Sequence, residues 1–197
     1  MAKLHFYYSV MESGKSTALI QTYYNYKKLG FNPLIIKPSV DTRDGKFFGW
    51  GKIKSRILNG DYDALYLDHV TSRIVLDPEG NVFYNVVLVD EAQFFTEKDI
   101  ESLSDIVDIY DIPVVCYGLK TDCHANLFAG AQKLLVLAND IREIKQICRC
   151  GRKATMHVRR VGGTIDRDGK TMMMESDGVT YESVCRKCYK EAMNKPE

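Results

Sequence analysis

The chain has 197 residues, 45% hydrophobic and 27% charged, with a formal net charge of +1. That length allows one good hydrophobic core with a small appendage, and so small a charge gives no global pull toward nucleic acid or anionic membrane. No run approaches the roughly 20 consecutive apolar residues of a membrane span and the N-terminus lacks the layout of a secretion signal, so the expectation is a cytoplasmic protein with no membrane or nucleic-acid partner.

Leu4-His5-Phe6-Tyr7-Tyr8 reads as a strand and runs directly into Ser9-Val10-Met11-Glu12-Ser13-Gly14-Lys15-Ser16-Thr17. A helix over Lys15 to Leu29, closed by Gly30, follows. Strand, tight loop ending Gly-Lys-Ser, and helix make the phosphate-cradling arrangement, in which backbone N–H groups and a helix N-terminus converge on one anion. The pattern predicts that residues 9–17 bind a nucleoside triphosphate. Gly14 permits close backbone approach, Lys15 reaches the outer phosphates, and the Ser16 hydroxyl is placed to bind Mg²⁺. Ser9 stands where the general pattern has its first glycine. Bound phosphates would repel the Glu12 carboxylate, so its side chain is expected to point out of the loop.

Pro33 to Lys37 forms a second strand, whereas from Lys46 to Tyr84 neither period dominates and only Asp77-Pro78-Glu79-Gly80 marks a turn. Val86-Val87-Leu88-Val89 suits a strand buried on both faces. It leads into Asp90-Glu91-Ala92-Gln93-Phe94, where a strand-end carboxylate holds Mg²⁺ and its neighbour accepts a proton from the attacking group. Asp90 is assigned to the metal, Glu91 to the proton, and Gln93 to the ATP site beside them. Thr96 caps a helix with Ile100, Leu103, Val107 and Tyr110 on one face, and Glu97, Asp99, Glu101, Asp105 and Asp108 are expected on its solvated side. A strand around Val114, with Cys116 as a buried inert thiol, and a helix from Asn126 to Leu137 complete the alternation. The predicted fold class is α/β, a P-loop domain over residues 1–145 with helices on both faces of a mostly parallel sheet.

Past Lys145 the texture changes to short glycine-punctuated segments, which predicts a small β-rich domain over residues 146–197. Cys148 and Cys150 are separated from Cys185 and Cys188 by thirty-four residues, a spacing that brings four thiolates to one tetrahedral Zn²⁺. A unit this small needs such a staple to fold. Residues 142–160 hold seven Lys or Arg against Glu143 alone, so a P-loop ATPase with a zinc-ribbon nucleic-acid-binding unit is the alternative reading, with Arg149, Arg152, Lys153, Arg159 and Arg160 on phosphates. Sparse aromatic interleaving argues against it.

Residues 9–17, Asp41-Thr42-Arg43, Asp90 to Phe94, Tyr117-Gly118-Leu119-Lys120-Thr121-Asp122 and Cys185-Arg186-Lys187-Cys188-Tyr189 occur in the order seen in one family. The chain resembles the zinc-containing thymidine kinases of cells, bacteria and phages, and the likeness spans nearly its whole length. Members of that branch also commonly carry serine at the position of Ser9. The resemblance implies transfer of the ATP γ-phosphate to the 5′-hydroxyl of thymidine or deoxyuridine, with Mg²⁺, a structural Zn²⁺, a lasso loop over the nucleoside and a homotetramer. It implies Glu91 as general base, Arg43 as support for charge at the transferring phosphoryl group, and Phe94, Cys123 and Tyr181 as nucleoside contacts. Two departures bear on base preference. Cys123 stands where many members have an aromatic ring, and Ser176-Asp177-Gly178-Val179-Thr180 replaces the usual paired glycines of the lasso.

Overall fold

Parallel strands buried on both faces need helices on either side, and the chain supplies them in alternation. A computed structural model describes residues 1–41, 49–54, 61–167, 169 and 178–194. Strands β1 (Leu4–Ser9), β2 (Pro33–Pro38), β3 (Gly49–Lys54), β4 (Asp61–Leu67), β5 (Val86–Val89), β6 (Val114–Leu119) and β7 (Asp140–Glu143) form one sheet in the order β3-β4-β2-β5-β6-β1-β7. All neighbours pair in parallel except β3, which runs antiparallel to β4. Every residue of β2, β5 and β6 is buried.

Successive residues of β5 serve opposite faces. Val86 and Leu88 pack with Ile35, Val115 and Tyr117 beneath Leu19 and Ile20 of α1 (Lys15–Lys28). Val87 and Val89 pack with Leu34, Val114 and Cys116 beneath Ile100, Leu103 and Ile106 of α2 (Glu97–Tyr110) and Leu134 of α3 (Ala129–Leu137). The Cys116 thiol is fully buried and its pKa is pushed far above the usual thiol range by burial. Helix α1 ends one residue earlier than expected, with Gly30 at φ +84 donating its amide to the Lys27 carbonyl.

Three sequence expectations change. Asp99 is not on a solvated face: it is 2% exposed, accepts from Thr96 N in a capping box, and accepts from Val70 N at 2.8 Å. A helix-start carboxylate that also anchors a distant loop has to be internal, and its hydrogen bonds hold its pKa down against the opposing effect of burial. Helix α3 starts at Ala129 rather than Asn126. The Asp122 carboxylate accepts from His124 N and Asn126 N, at 2.9 and 2.8 Å, which holds 122–126 in a turn that competes with the helix. Within the segment that showed no period, β3 and β4 pair and Ser72–Val75 forms one short 3₁₀ turn.

Beyond β7 the elements are β8 (Gln146–Ile147), β9 (Lys153–Ala154), β10 (Met156–Val161), β11 (Thr164–Ile165), β12 (Val179–Val184) and α4 (Arg186–Asn194). β10 is central in an antiparallel sheet with β11 and β12, and β8 pairs with β9. Val158, Val184, Ala154 and the buried cysteines 148, 185 and 188 form its core. Among the described residues no helix is long and apolar enough to cross a membrane.

Candidate active site

The carboxyl edge of the sheet gathers the chemistry. β5, β6 and β1 are neighbours there, so the segment after Val89 and the loop after Ser9 open on the same edge, where ligands bind in open α/β sheets. Gly14 adopts φ +81 at the start of α1, a left-handed conformation that favours glycine. Lys15 is 7% exposed and its Nζ donates to the Val10 carbonyl at 2.8 Å, folding the side chain back over the loop. Ser16 and Thr17 open the first turn of α1, and Ser13 lies half-buried in the loop. The Ser9 hydroxyl donates to the Ile144 carbonyl, a tie that glycine could not make. Glu12 sits at φ +57 with an exposed side chain.

Asp90 and Glu91 are 2% and 6% exposed, and Glu91 holds the left-handed conformation at φ +50. Such a backbone in a glutamate is strained and has to be held by its surroundings. Gln93 supplies the hold: its Nε2 donates to Glu91 Oε2 at 2.7 Å while its Oε1 accepts from Leu119 N at 2.8 Å. Both ends of the amide are thus engaged within the protein, and Gln93 links the segment after β5 to β6. Space for it depends on Gly118, where a Cβ would come within 2.6 Å of Gln93 Oε1. Gly130 of α3 has the same character, because a Cβ there would meet the Phe95 carbonyl at 2.5 Å. Half-buried Phe94 stands edge-to-face with Phe128, centroids 5.6 Å apart, beside a concavity of about 570 Å³.

β10 and β12 cover the phosphate loop. His157 pairs with Ser183 and Arg159 with Tyr181, so these four side chains share one face of their sheet. Ser183 Oγ donates to the Met11 carbonyl at 2.6 Å, and Gln146 Nε2 donates to the Glu12 carbonyl at 2.8 Å. The face with His157 is therefore turned toward the loop. Arg159 is wholly buried and held by Asp166 at 2.9 Å, so it is removed from any nucleic-acid-binding surface. Burial raises the pKa of the half-buried Tyr181, with Arg159 opposing. Cys123 is 2% exposed, its thiol pKa raised by burial, and its carbonyl accepts from the Tyr189 hydroxyl of α4 at 2.9 Å.

The Sγ atoms of Cys148, Cys150, Cys185 and Cys188 lie within 4.8 Å of one another, with 3.5 Å from Cys150 to Cys148 and 3.6 Å from Cys150 to Cys185. Tetrahedral zinc with Zn–S near 2.3 Å requires sulfur separations of about 3.8 Å. The cluster fits a structural zinc.

The family model for thymidine kinase matches residues 2–189. A thymidine kinase of Rhodopirellula baltica is 44% identical over 200 residues, covering 98% of this chain and 90% of the relative. One from Shewanella oneidensis is 44% identical over 194 residues (97% and 98% covered), and one from Vibrio cholerae is 39% identical over 198 (99% and 100% covered). The chain belongs to the thymidine kinase family. Membership makes it a kinase, an enzyme of phosphoryl transfer, and leaves the nucleic-acid-dependent ATPase without support of its own.

The sequence-nominated residues fall into three groups. Residues 9–17, Asp90 and Glu91 meet at the carboxyl edge of the sheet, and Tyr181 lies on the covering face. Phe94 and Cys123 flank these elements on the loops after β5 and β6. Arg43, Ser176 and Asp177 lie outside the described residues. Ser183 and His157 carry no motif in the sequence, and the alternative reading that puts Arg159 on nucleic-acid phosphates needs it at the surface, where it is not. The alternation in Met156-His157-Val158-Arg159 carried the signal, but assigning its polar face required the pairing with β12.

Proposed function

We propose that this chain transfers the γ-phosphoryl group of ATP to the 5′-hydroxyl of thymidine or deoxyuridine, giving the 5′-monophosphate and ADP. The observation that carries the reading is the opening of the phosphate loop and of the segment with buried Glu91 on one sheet edge, with Glu91 in a left-handed conformation and hydrogen-bonded by Gln93. In this reading residues 9–17 cradle the triphosphate, Lys15 neutralises its outer charge and Glu91 takes the hydroxyl proton as the 5′-oxygen bonds to the γ-phosphorus. Ser16 and Asp90 offer a hydroxyl and a carboxylate, a donor set suited to Mg²⁺, which would offset charge on the phosphates when bound. Arg43 supports the transferring group, while Phe94, Cys123 and Tyr181 border the nucleoside.

Residues 1–145 then form the catalytic P-loop domain, and 146–197 the zinc and lasso domain. Four copies of the 22.5 kDa chain make the functional assembly, a homotetramer of about 90 kDa that light scattering would detect. The reading is tested by incubating the protein with ATP, Mg²⁺ and a panel of thymidine, deoxyuridine and deoxycytidine, scoring 5′-monophosphate. Thymidine-dependent ADP release without DNA is the expected result. ATP hydrolysis that requires single-stranded DNA and yields no nucleotide would overturn it.

A further inference from the structure

Cys123 and Tyr181, both proposed above to border the nucleoside, sit on different elements, one on the loop after β6 and the other on β12 of the smaller unit. A site built from two elements is only as exact as the joint between them. Such a joint lies at Gly169. Half-buried His124, next to Cys123, places its Nε2 3.0 Å from the Gly169 carbonyl, 45 residues along the chain. A carbonyl only accepts, so Nε2 carries the proton and donates.

Both sides of the joint are braced. Asp122 is 3% exposed and its carboxylate accepts from His124 N and Asn126 N at 2.9 and 2.8 Å, while Ala125 holds φ +69, a left-handed conformation that alanine adopts only under constraint. The backbone that carries His124 is thus fixed before its ring reaches across. On the far side Gly169 N donates to Asp166 Oδ1 at 2.7 Å, and Asp166 Oδ2 accepts from Arg159 Nε at 2.9 Å. Arg159 lies opposite Tyr181 in the register of β10 and β12. Only glycine fits at the junction, because a Cβ at residue 169 would come within 2.5 Å of Asp166 Oδ1 and 2.6 Å of Arg159 Nη2. The Tyr189 hydroxyl already fastens the Cys123 carbonyl to α4. One attachment leaves the loop free to pivot, and a second at the next residue fixes its angle.

Resting on the proposed nucleoside kinase activity, we infer that His124 is a positioning residue for nucleoside binding, whose bond to Gly169, continued through Asp166 and Arg159, holds the loop of Cys123 at a fixed distance from the strand of Tyr181. His124 acts through these residues and not on the reacting atoms. The phosphate loop over residues 9–17 takes no part in the joint, so its loss falls on the nucleoside and spares ATP.

The test compares wild type, His124→Ala, His124→Gln, Asp166→Asn and the His124→Ala/Asp166→Asn double variant in steady-state kinetics with thymidine and ATP. His124→Ala should raise the thymidine KM about fivefold, the effect of one neutral hydrogen bond, with kcat and the ATP KM unchanged. His124→Gln, whose amide can also donate, should restore most of the wild-type value. The links act in series, so the double variant should be no worse than the more affected single variant. An unchanged thymidine KM in His124→Ala, an equal rise in the ATP KM, or a double variant whose loss is the product of the two single losses overturns the inference while leaving the kinase reading intact. A wild type inactive on every pyrimidine nucleoside overturns the kinase reading on which the inference rests. Should His124→Ala fail to fold, Asp166→Asn carries the same expectation, and a wild-type thymidine KM there contradicts the inference.

Discussion

The seven-stranded sheet and the cysteine-held unit differ in what keeps them folded, and the difference assigns their work. The sheet is stabilised by apolar burial on both faces, with β2, β5 and β6 closed to solvent along their whole length. The smaller unit packs Val158, Val184 and Ala154 around three buried cysteines, with Val10 of the phosphate loop in the same cluster, and its four thiols fit a structural zinc that would hold it together. A rigid sheet edge suits phosphate chemistry, which depends on positioning. A unit joined to it through contacts such as Ser183 to Met11 and Gln146 to Glu12 suits the covering of a substrate.

The strongest way to break this division is at Glu91. Glu91→Gln should retain ATP binding and lose about 10²–10⁴-fold in kcat, because an amide cannot take the hydroxyl proton. Near-normal turnover would move the base elsewhere.

Acid titration sharpens the role of the covering face. His157 binds a proton near pH 6.5 when unfolded and near pH 4 when folded, with Lys15, Asp122, Arg159 and Tyr181 around it. Between those values the unfolded chain holds the extra proton, so stability is full above pH 6.5 and falls as pH drops toward 4. The loss attributable to this residue is on the order of 3 kcal/mol. It should appear as the difference between wild type and His157→Val in denaturation measured across pH 4–7, and parallel curves would contradict it.

A smaller effect separates positioning from binding. In Gly118→Ala the new Cβ displaces the Gln93 amide and frees Glu91, so kcat should fall about tenfold, the value of one hydrogen bond of roughly 1 kcal/mol or more, with ATP affinity kept. Equal losses in both would mean that the substitution deforms the whole edge. Smallest is Thr96→Ala, which removes the cap of α2 and should lower stability by about 1 kcal/mol with no change in KM. Calorimetric melting and steady-state kinetics check the pair.

These same residues mark what could be read from the chain. Strand β1, the loop over residues 9–17, the run Val86–Val89, the Thr96 cap and the paired cysteines are legible because each is set by neighbours a few positions away. Asp99, Gln93 and His157 are not, because their roles come from partners far along the chain: Val70 for the first, Leu119 for the second, β12 for the third. Arg159 looks like a surface cation for the same reason, since only cross-strand pairing and Asp166 bury it. The helical period extends α3 back to Asn126, whereas Asp122 caps a turn with two side-chain bonds that no period reveals.

The division of labour is tested most directly by calorimetric titration of ATP and of thymidine into the native protein and into a Cys185→Ser/Cys188→Ser variant. The native protein should hold one zinc per chain and bind both ligands. The variant should lose the metal and all saturable thymidine binding, while its ATP affinity falls by no more than about fivefold, the effect of a lost loop contact such as Ser183 to Met11. Loss of both ligands together, or thymidine binding that survives without the metal, would contradict the account.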